Sequence, residues 1–500
     1  MAATRAERLT RWLLAAGALL RVAQYLSNRS LWLDEAYIAP TILRRSFAGL
    51  FAPPDYGQIV PVGFLALVRA AVALFGASEY ALRLVPLLCG LAALVLFRRV
   101  AARLLPAPAV PIAAALFAFS GPLIGFSSEL KQYSTDVLAA LFLLDRAVDA
   151  RERPGQPQSR GALVTLAVAG AVLVWFSLPA VFVLAGIGAT LAVRAARTGE
   201  RPRLRALAAA GLLWIGSFAA FWLVFLRHIG RAPDVLAFWA DAFLPFPPRS
   251  FADLYWLPKT FGALFGDPAG FVFRGLGILA FLVGAWVLFR TDRAHLALLI
   301  APTLFALAAS ALRWYPFSGR TLLFLAPALY LLVALGIEEI REETSPRAPA
   351  VWAILLALLL FHPVLWSVRA LFHPREKEEM KPALAYVRGH LSPGDRLYVY
   401  SAALPAFDYY GPRSGLPPNR IFRGEWVGET AGARRDVESL RGGGRVWILF
   451  THAIRPDGAD DEARFLGFLD AAGRRLDAFR ATGAAVYLYD VSRTATAGPS

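Results

Sequence analysis

The stretch RPRLRALAAAGLLWIGSFAAFWLVFL, residues 201–226, decides the fold class. From residue 206 onward it carries no charge, and a helix of about 20 such residues crosses the hydrocarbon core of a bilayer. Arg201, Arg203 and Arg205 stand immediately before it, the pattern of a cytoplasmic loop. The rest of the chain repeats that grammar. It has 500 residues, 57% hydrophobic and 18% charged, with a mean hydropathy of +0.51 and a net charge of +16. A soluble domain is roughly 45–50% apolar and about 25% charged. The positive charge lies in clusters between apolar runs such as 163–193 and 350–366, not along a groove, which excludes a nucleic-acid partner. The chain reads as a polytopic membrane protein.

Candidate spans are 12–27, 82–97, 108–126, 134–148, 161–176, 178–193, 206–226, 271–289, 294–311, 321–337 and 350–367, about eleven by length and hydropathy. The apolar segment 62–76 is set apart, because Arg69 sits at its middle and a lipid-facing charge costs about 3 kcal/mol. It reads as an amphipathic helix on the membrane surface. With that choice, the arginines of 98–103, 146–160, 194–205 and 290–293 fall on the cytoplasmic side, together with the N-terminus. Residues 12–26 lack a small-residue cleavage site and read as an uncleaved first span.

The expected organisation is an all-α membrane domain over 1–370, with a long outer loop at 28–81 and an aromatic outer loop at 227–270. Composition turns soluble after 370. Helical patterns at 378–390 and 460–475 alternate with strand-like 396–402, 446–452 and 484–491, which predicts a small α/β domain over 371–492 on the outer side. Residues 493–500 read as a disordered tail. The single cysteine, Cys89, excludes an internal disulfide and any Cys-cluster metal site. His362 and His373 each precede a proline and are expected in loops, and neither a zinc-protease spacing nor a phosphate-binding glycine loop is present.

Candidate chemistry gathers in the outer segments. LWLDEAY (31–37) places Asp34 and Glu35 just beyond the first span, where a carboxylate could take a proton from an acceptor hydroxyl. SSELKQYSTD (127–136) packs Glu129, Lys131, Tyr133 and Asp136 between two spans, and ionisable groups at that depth are commonly functional. RWYPFSGR (313–320) brackets Tyr315 with arginines, whose planar forks suit phosphate oxygens. Lys259 adds a cation in the aromatic loop. Acids in two outer loops and cations in two others suit transfer from a lipid-linked phosphate donor, with an acid deprotonating the acceptor and cations stabilising the departing phosphate.

On LWLDEA (31–36), DYGQIVPVGFLALVRAAVALFGASEYALRLVP (55–86), SSELKQYSTD (127–136) and YPFSGRTLLFLAP (315–327), the chain resembles the polytopic glycosyltransferases of the C superfamily. The likeness is to the family 39-like bacterial members, a group similar to protein O-mannosyltransferases and lipid A aminoarabinose transferases. It covers roughly residues 10–335. The resemblance implies an inverting enzyme of the bacterial inner membrane that takes a sugar from a polyprenyl-phosphate donor. Its acceptor, a glycan, lipid or protein, would lie on the outer, periplasmic side. It implies Asp34, with Glu35 adjacent, as catalytic base, and Glu129 or Asp136 as the second-loop acid that assists acceptor or metal binding. A divalent metal ion stays open as a cofactor. Some relatives carry Lys-Pro before the surface helix; here the matching stretch is Gln58-Ile59-Val60-Pro61, so the phosphate role falls to Arg320, Lys259 or Lys131. Rival readings are a transporter or flippase of a lipid-linked glycan, disfavoured by the lack of an internal repeat, and a non-catalytic assembly subunit.

Overall fold

The computed structural model describes residues 2–152, 157–228, 237–425, 430–453 and 460–492. The chain folds into two compact units: Met1–Ser27 with Ser46–Pro374, and Asn28–Arg45 with Arg375–Ser500. The first loop is therefore divided. Its first part, the part with Asp34, belongs to the unit built mainly from the C-terminal residues.

The first unit is helical. Among the described residues seven helices are long and apolar enough to cross a membrane, which makes this a multi-pass membrane protein: Glu79–Leu104, Ala180–Arg197, Arg201–His228, Arg274–Thr291, Arg293–Ala311, Gly319–Thr344 and Ala350–Phe372. Helices Ala2–Leu26, Tyr133–Glu152 and Pro157–Leu173 occupy three more expected spans. The expected continuous span at 108–126 is broken into Ala109–Ala118 and Gly121–Phe126. Ser120 is the physical reason. Its backbone is extended, its hydroxyl accepts the Leu123 N–H, and Pro122 follows in the first turn of the new helix.

A helix that stops inside the bundle leaves carbonyls without partners. Arg21, buried in the first helix, donates to Ala118 O at 3.2 Å and Phe117 O at 3.3 Å, as well as to Gly17 O of its own helix. An arginine at membrane depth thus serves as a C-terminal cap. His362, expected in a loop, lies inside Ala350–Phe372, which continues through Pro363. The segment set apart as a surface helix forms Val62–Phe75, fourteen residues, about 21 Å at 1.5 Å per residue and short of a bilayer core of about 30 Å. Arg99, Arg103 and Arg146, read from sequence as topological markers, also pair with Asp145 and Asp149. The aromatic loop contains a further helix, Phe251–Gly266, opened by a reciprocal Ser250–Asp253 cap; residues 229–236 of that loop lie outside the described residues, as do 493–500.

The second unit carries a five-stranded sheet in the order β2-β1-β3-β5-β4: β1 (Arg396–Val399), β2 (Ile421–Arg423), β3 (Arg445–Thr451), β4 (Arg474–Ala481) and β5 (Ala484–Asp490). β1 runs parallel to β2 and β3, while β5 is antiparallel to β3 and β4. The central strands β3 and β5 are buried on both faces and read from sequence as apolar runs. β4, RRLDAFRA, is an edge strand with a polar, exposed face, and nothing in its hydropathy announces it. Gly483 closes the β4–β5 turn at φ +62, and a Cβ there would sit 1.9 Å from Lys377 O. The turn holds the chain at 377–379, where Glu379 N–H donates to Thr482 O at 2.7 Å.

Helices Arg274–Thr291 and Ala326–Thr344 touch backbone to backbone at Gly284 and Gly336. A Cβ on Gly336 would lie 1.8 Å from Ala280 O, closer than any side chain tolerates. Small residues permit such approach in membrane bundles. Gly336→Val is expected to destabilise the bundle by about 2 kcal/mol or more, read as a lowered thermal midpoint of the detergent-purified protein; an unchanged midpoint would refute the close crossing.

Candidate active site

In the second unit the candidate site is built on the turn 30–33. Its backbone N–H groups precede the short helix Leu33–Ala36 and have no ladder to join. Side chains take all four. Ser30 N–H donates to Glu379 Oε1 at 3.1 Å, Leu31 N–H to the Tyr410 hydroxyl at 2.8 Å, Trp32 N–H to Glu35 Oε2 at 3.4 Å, and Leu33 N–H to Glu378 Oε2 at 2.9 Å. Lys377 lays its ammonium 3.5 Å from the centre of the Trp32 ring, a cation–π contact. Glu35 is buried and caps its own helix, whereas Asp34 is half-buried.

Sequence reasoning missed three residues here. Glu378 and Glu379 read as the start of a helix, but the helix begins at Met380 and both carboxylates turn to the 30–33 turn. His452 read as the end of a strand. It leaves β3 in the left-handed region, φ +51, and its Nδ1–H donates to Glu378 Oε1 at 2.9 Å. The Glu378 hydrogen bond holds the His452 imidazolium above its ordinary pKa, against burial, and the charges of Glu378 and Asp34 add to the rise. The only sequence signal was a pair of adjacent glutamates between two lysines, KEEMK, in an otherwise basic chain.

In the first unit, Gln58 and Lys131 are brought together: Lys131 Nζ donates to Gln58 Oε1 at 2.9 Å. The stretch 127–136 is buried almost throughout, with Glu129, Lys131 and Asp136 each below 5% exposed, a concentration of polar groups that only a specific structure stabilises. The buried hydroxyl of Ser177 faces Asp136 without closing a well-formed hydrogen bond. Tyr133 packs edge-on against Phe126. Tyr315 donates to Thr321 O at 2.6 Å; desolvation pushes its phenol well above the ordinary range, and the charges of Asp136 and Tyr133 add to the shift. Lys259 stands exposed on Phe251–Gly266, and the Arg320 guanidinium lies 5.9 Å from the Trp239 ring centre. Among the described residues no group of three or more His, Cys, Asp or Glu side chains is placed to hold a metal ion.

The sequence matches no family model and no curated protein. Its fold does match solved structures. ArnT from Cupriavidus metallidurans in the apo state aligns with a TM-score of 0.52 at 15% identity, over 96% of this chain and 98% of that one. ArnT bound to undecaprenyl phosphate aligns at 0.53 and 16%, over 98% and 100%. The archaeal oligosaccharyltransferase AglB from Archaeoglobus fulgidus, in complex with an inhibitory peptide and a dolichol-phosphate, aligns at 0.52 and 12%, over 96% and 74%. The chain has the glycosyltransferase C fold. The likeness is one of fold, at 12–16% sequence identity.

Because the folded-state pKa of His452 is raised, its pairing contributes stability that is complete below about 6.5, the ordinary histidine value. That contribution is lost as pH rises through the higher folded-state value. The thermal midpoint of the parent minus that of His452→Gln is therefore expected to be larger at pH 6 than at pH 9; a difference independent of pH would contradict the imidazolium–Glu378 pairing.

Proposed function

We propose that the protein is a membrane glycosyltransferase that moves a sugar from a polyprenyl-phosphate carrier to a hydroxyl acceptor on the outer face of a bacterial inner membrane. The observation that carries this reading is the near full-length match to ArnT, one of whose structures holds undecaprenyl phosphate. The second structural neighbour, AglB, is an oligosaccharyltransferase bound to a dolichol-phosphate, a carrier of the same chemistry.

Asp34 is the base. It is half-buried on the short helix Leu33–Ala36, behind a turn whose backbone donors are held by Glu378, Glu379 and Tyr410, and that fixes its position just beyond the first span. It takes the acceptor proton as the acceptor oxygen attacks the anomeric carbon from the face opposite the phosphate. The anomeric C–O bond breaks, its electron pair leaves with the polyprenyl phosphate, and the configuration inverts. Lys131 is the first choice for the phosphate, since it is a buried cation whose ammonium is steered by its hydrogen bond to the Gln58 amide oxygen. Glu129 or Asp136 is the second-loop acid that assists acceptor or metal binding, with Tyr315 beside Asp136. An apolar groove of about 520 Å³, lined by Trp175, Phe176, Leu212, Leu213 and Gly216, opens one residue from Ser177 and suits a polyprenyl chain.

Asp34→Asn keeps the shape and removes the base. Transfer measured with purified lipid donor is expected to fall at least about 100-fold in kcat, with donor KM little changed; full activity at normal folding would sink the assignment. Lys131→Met is expected to raise donor KM about tenfold or more, matching a lost charge-assisted contact of about 1.5–3 kcal/mol. An unchanged KM would move the phosphate role to Arg320 or Lys259.

A further inference from the structure

Helix Arg201–Val224 carries a glycine, Gly211, near its middle. Glycine inside a helix is unfavourable relative to alanine, and in a membrane bundle close approach of another helix commonly explains it. Here a Cβ on Gly211 would meet nothing within 4 Å. Gly211 instead lines a groove of about 400 Å³ between this helix and Ala180–Arg197, within the range of about 300–1,000 Å³ in which proteins hold small molecules. The lining is apolar throughout, with Leu184, Gly188 and Ala192 from one helix and Leu207, Gly211 and Ile215 from the other. Trp214 lines it too. Its indole N–H donates to Ala167 O at 3.0 Å, and a Cβ on Gly188 would sit 3.2 Å from its ring, so three helices fix this wall in place. The row from Leu204 to Phe218 runs about 21 Å along the helix, more than half of a hydrocarbon core of about 30 Å.

One end of the groove is strongly basic. The connection 194–205 holds five arginines and one glutamate. Arg203 is engaged, donating to Ala150 O at 2.6 Å and pairing with Glu200 at 3.5 Å. Arg201 and Arg205 are exposed and have no acidic partner among the described residues. Each stands three residues before a groove-lining side chain, Leu204 and Ala208, a spacing that makes them neighbours on the helix surface. The amino end of the helix favours an anion at the same place. No charged side chain lines the other end, at Val174 and Val181. We propose that this groove binds a membrane phospholipid with an anionic head group, its acyl chain between the two helices and its phosphate against Arg201 and Arg205. Gly211 is where the chain lies against helix backbone. The site is separate from the groove of Trp175, Leu212 and Leu213, which opens on another face of the same helix. A polyprenyl phosphate shares the head-group chemistry, but the cations stand at the end remote from the Ser177 turn, which favours a phospholipid of the leaflet on the arginine side.

Trp214 reports occupancy. The full-length protein in nonionic detergent is titrated with phosphatidylglycerol or phosphatidylcholine carrying brominated acyl chains, which quench an indole on contact. The Trp214 share of the quenching is the difference between the parent and Trp214→Phe. That share is expected to be half-quenched at about tenfold less phosphatidylglycerol than phosphatidylcholine, a preference of about 1.4 kcal/mol from two arginines at the head group; equal midpoints overturn the proposal. Arg201→Gln combined with Arg205→Gln should abolish the preference, and a preference that keeps its parental value overturns the placement of the phosphate. Gly211→Leu fills the groove where no atom stands within 4 Å of the new Cβ, so the thermal midpoint without lipid should hold while neither lipid quenches Trp214. Quenching that persists in that variant overturns the placement of the chain. Undecaprenyl phosphate should displace the brominated phosphatidylglycerol less readily than unbrominated phosphatidylglycerol does; displacement at a lower concentration makes the groove a carrier site and overturns the phospholipid assignment.

Discussion

A polar group shut away from water must find its partner inside the protein, and this structure is organised around that constraint. Where the third expected span breaks at Phe119–Ser120, a buried arginine from the first helix reaches the freed carbonyls. Where the turn 30–33 leaves backbone donors outside any ladder, two adjacent glutamates, a tyrosine and a helix-capping glutamate supply acceptors. An unmet donor or acceptor in such places costs about 1–3 kcal/mol, comparable with a large share of a domain's net stability. The irregular backbone at both places is thereby stabilised.

The same constraint ties the first-loop segment to the C-terminal residues. Residues 28–45 lie just after the first helix in sequence but belong to the unit formed with residues 375–500. Their partners, Glu378, Glu379 and Tyr410, stand some 350 positions further along the chain. A tail that looks from its composition like an accessory domain therefore supplies the scaffold for the acid nearest the first span. Charge in the membrane unit has a double use of a related kind. Arg99, Arg103 and Arg146 carry a topological pattern in sequence and also neutralise Asp145 and Asp149 in the fold.

Much of the architecture was legible because the bilayer imposes one strong rule, about twenty apolar residues per span. The helices from Glu79 to Phe372, the short Val62–Phe75 and the buried strands β1, β3 and β5 all follow hydropathy. Several features escaped it, the short edge strand β2 (Ile421–Arg423) among them. The break at Ser120 depends on one hydroxyl and one proline in a run that is apolar on both sides. β4 is an edge strand whose outward residues are charged, so its pattern resembles a loop. Helix Ala350–Phe372 runs through His362-Pro363, a dipeptide that in isolation signals a stop.

For the site, the sequence by itself determined which residue types were present and on which segments. Asp34 and Glu35 follow the first span, and Glu129, Lys131, Tyr133 and Asp136 share one short connection. The hydropathy around them made these charges conspicuous. Only the tertiary structure decided the division of labour. It turned Glu35 into a cap, paired Lys131 with Gln58, and drew Glu378 and His452 to the turn that bears Asp34. The physical reason is range. Hydropathy and helix spacing act between neighbours in the chain, whereas a hydrogen bond between residues 33 and 378 exists only once the fold has brought them together.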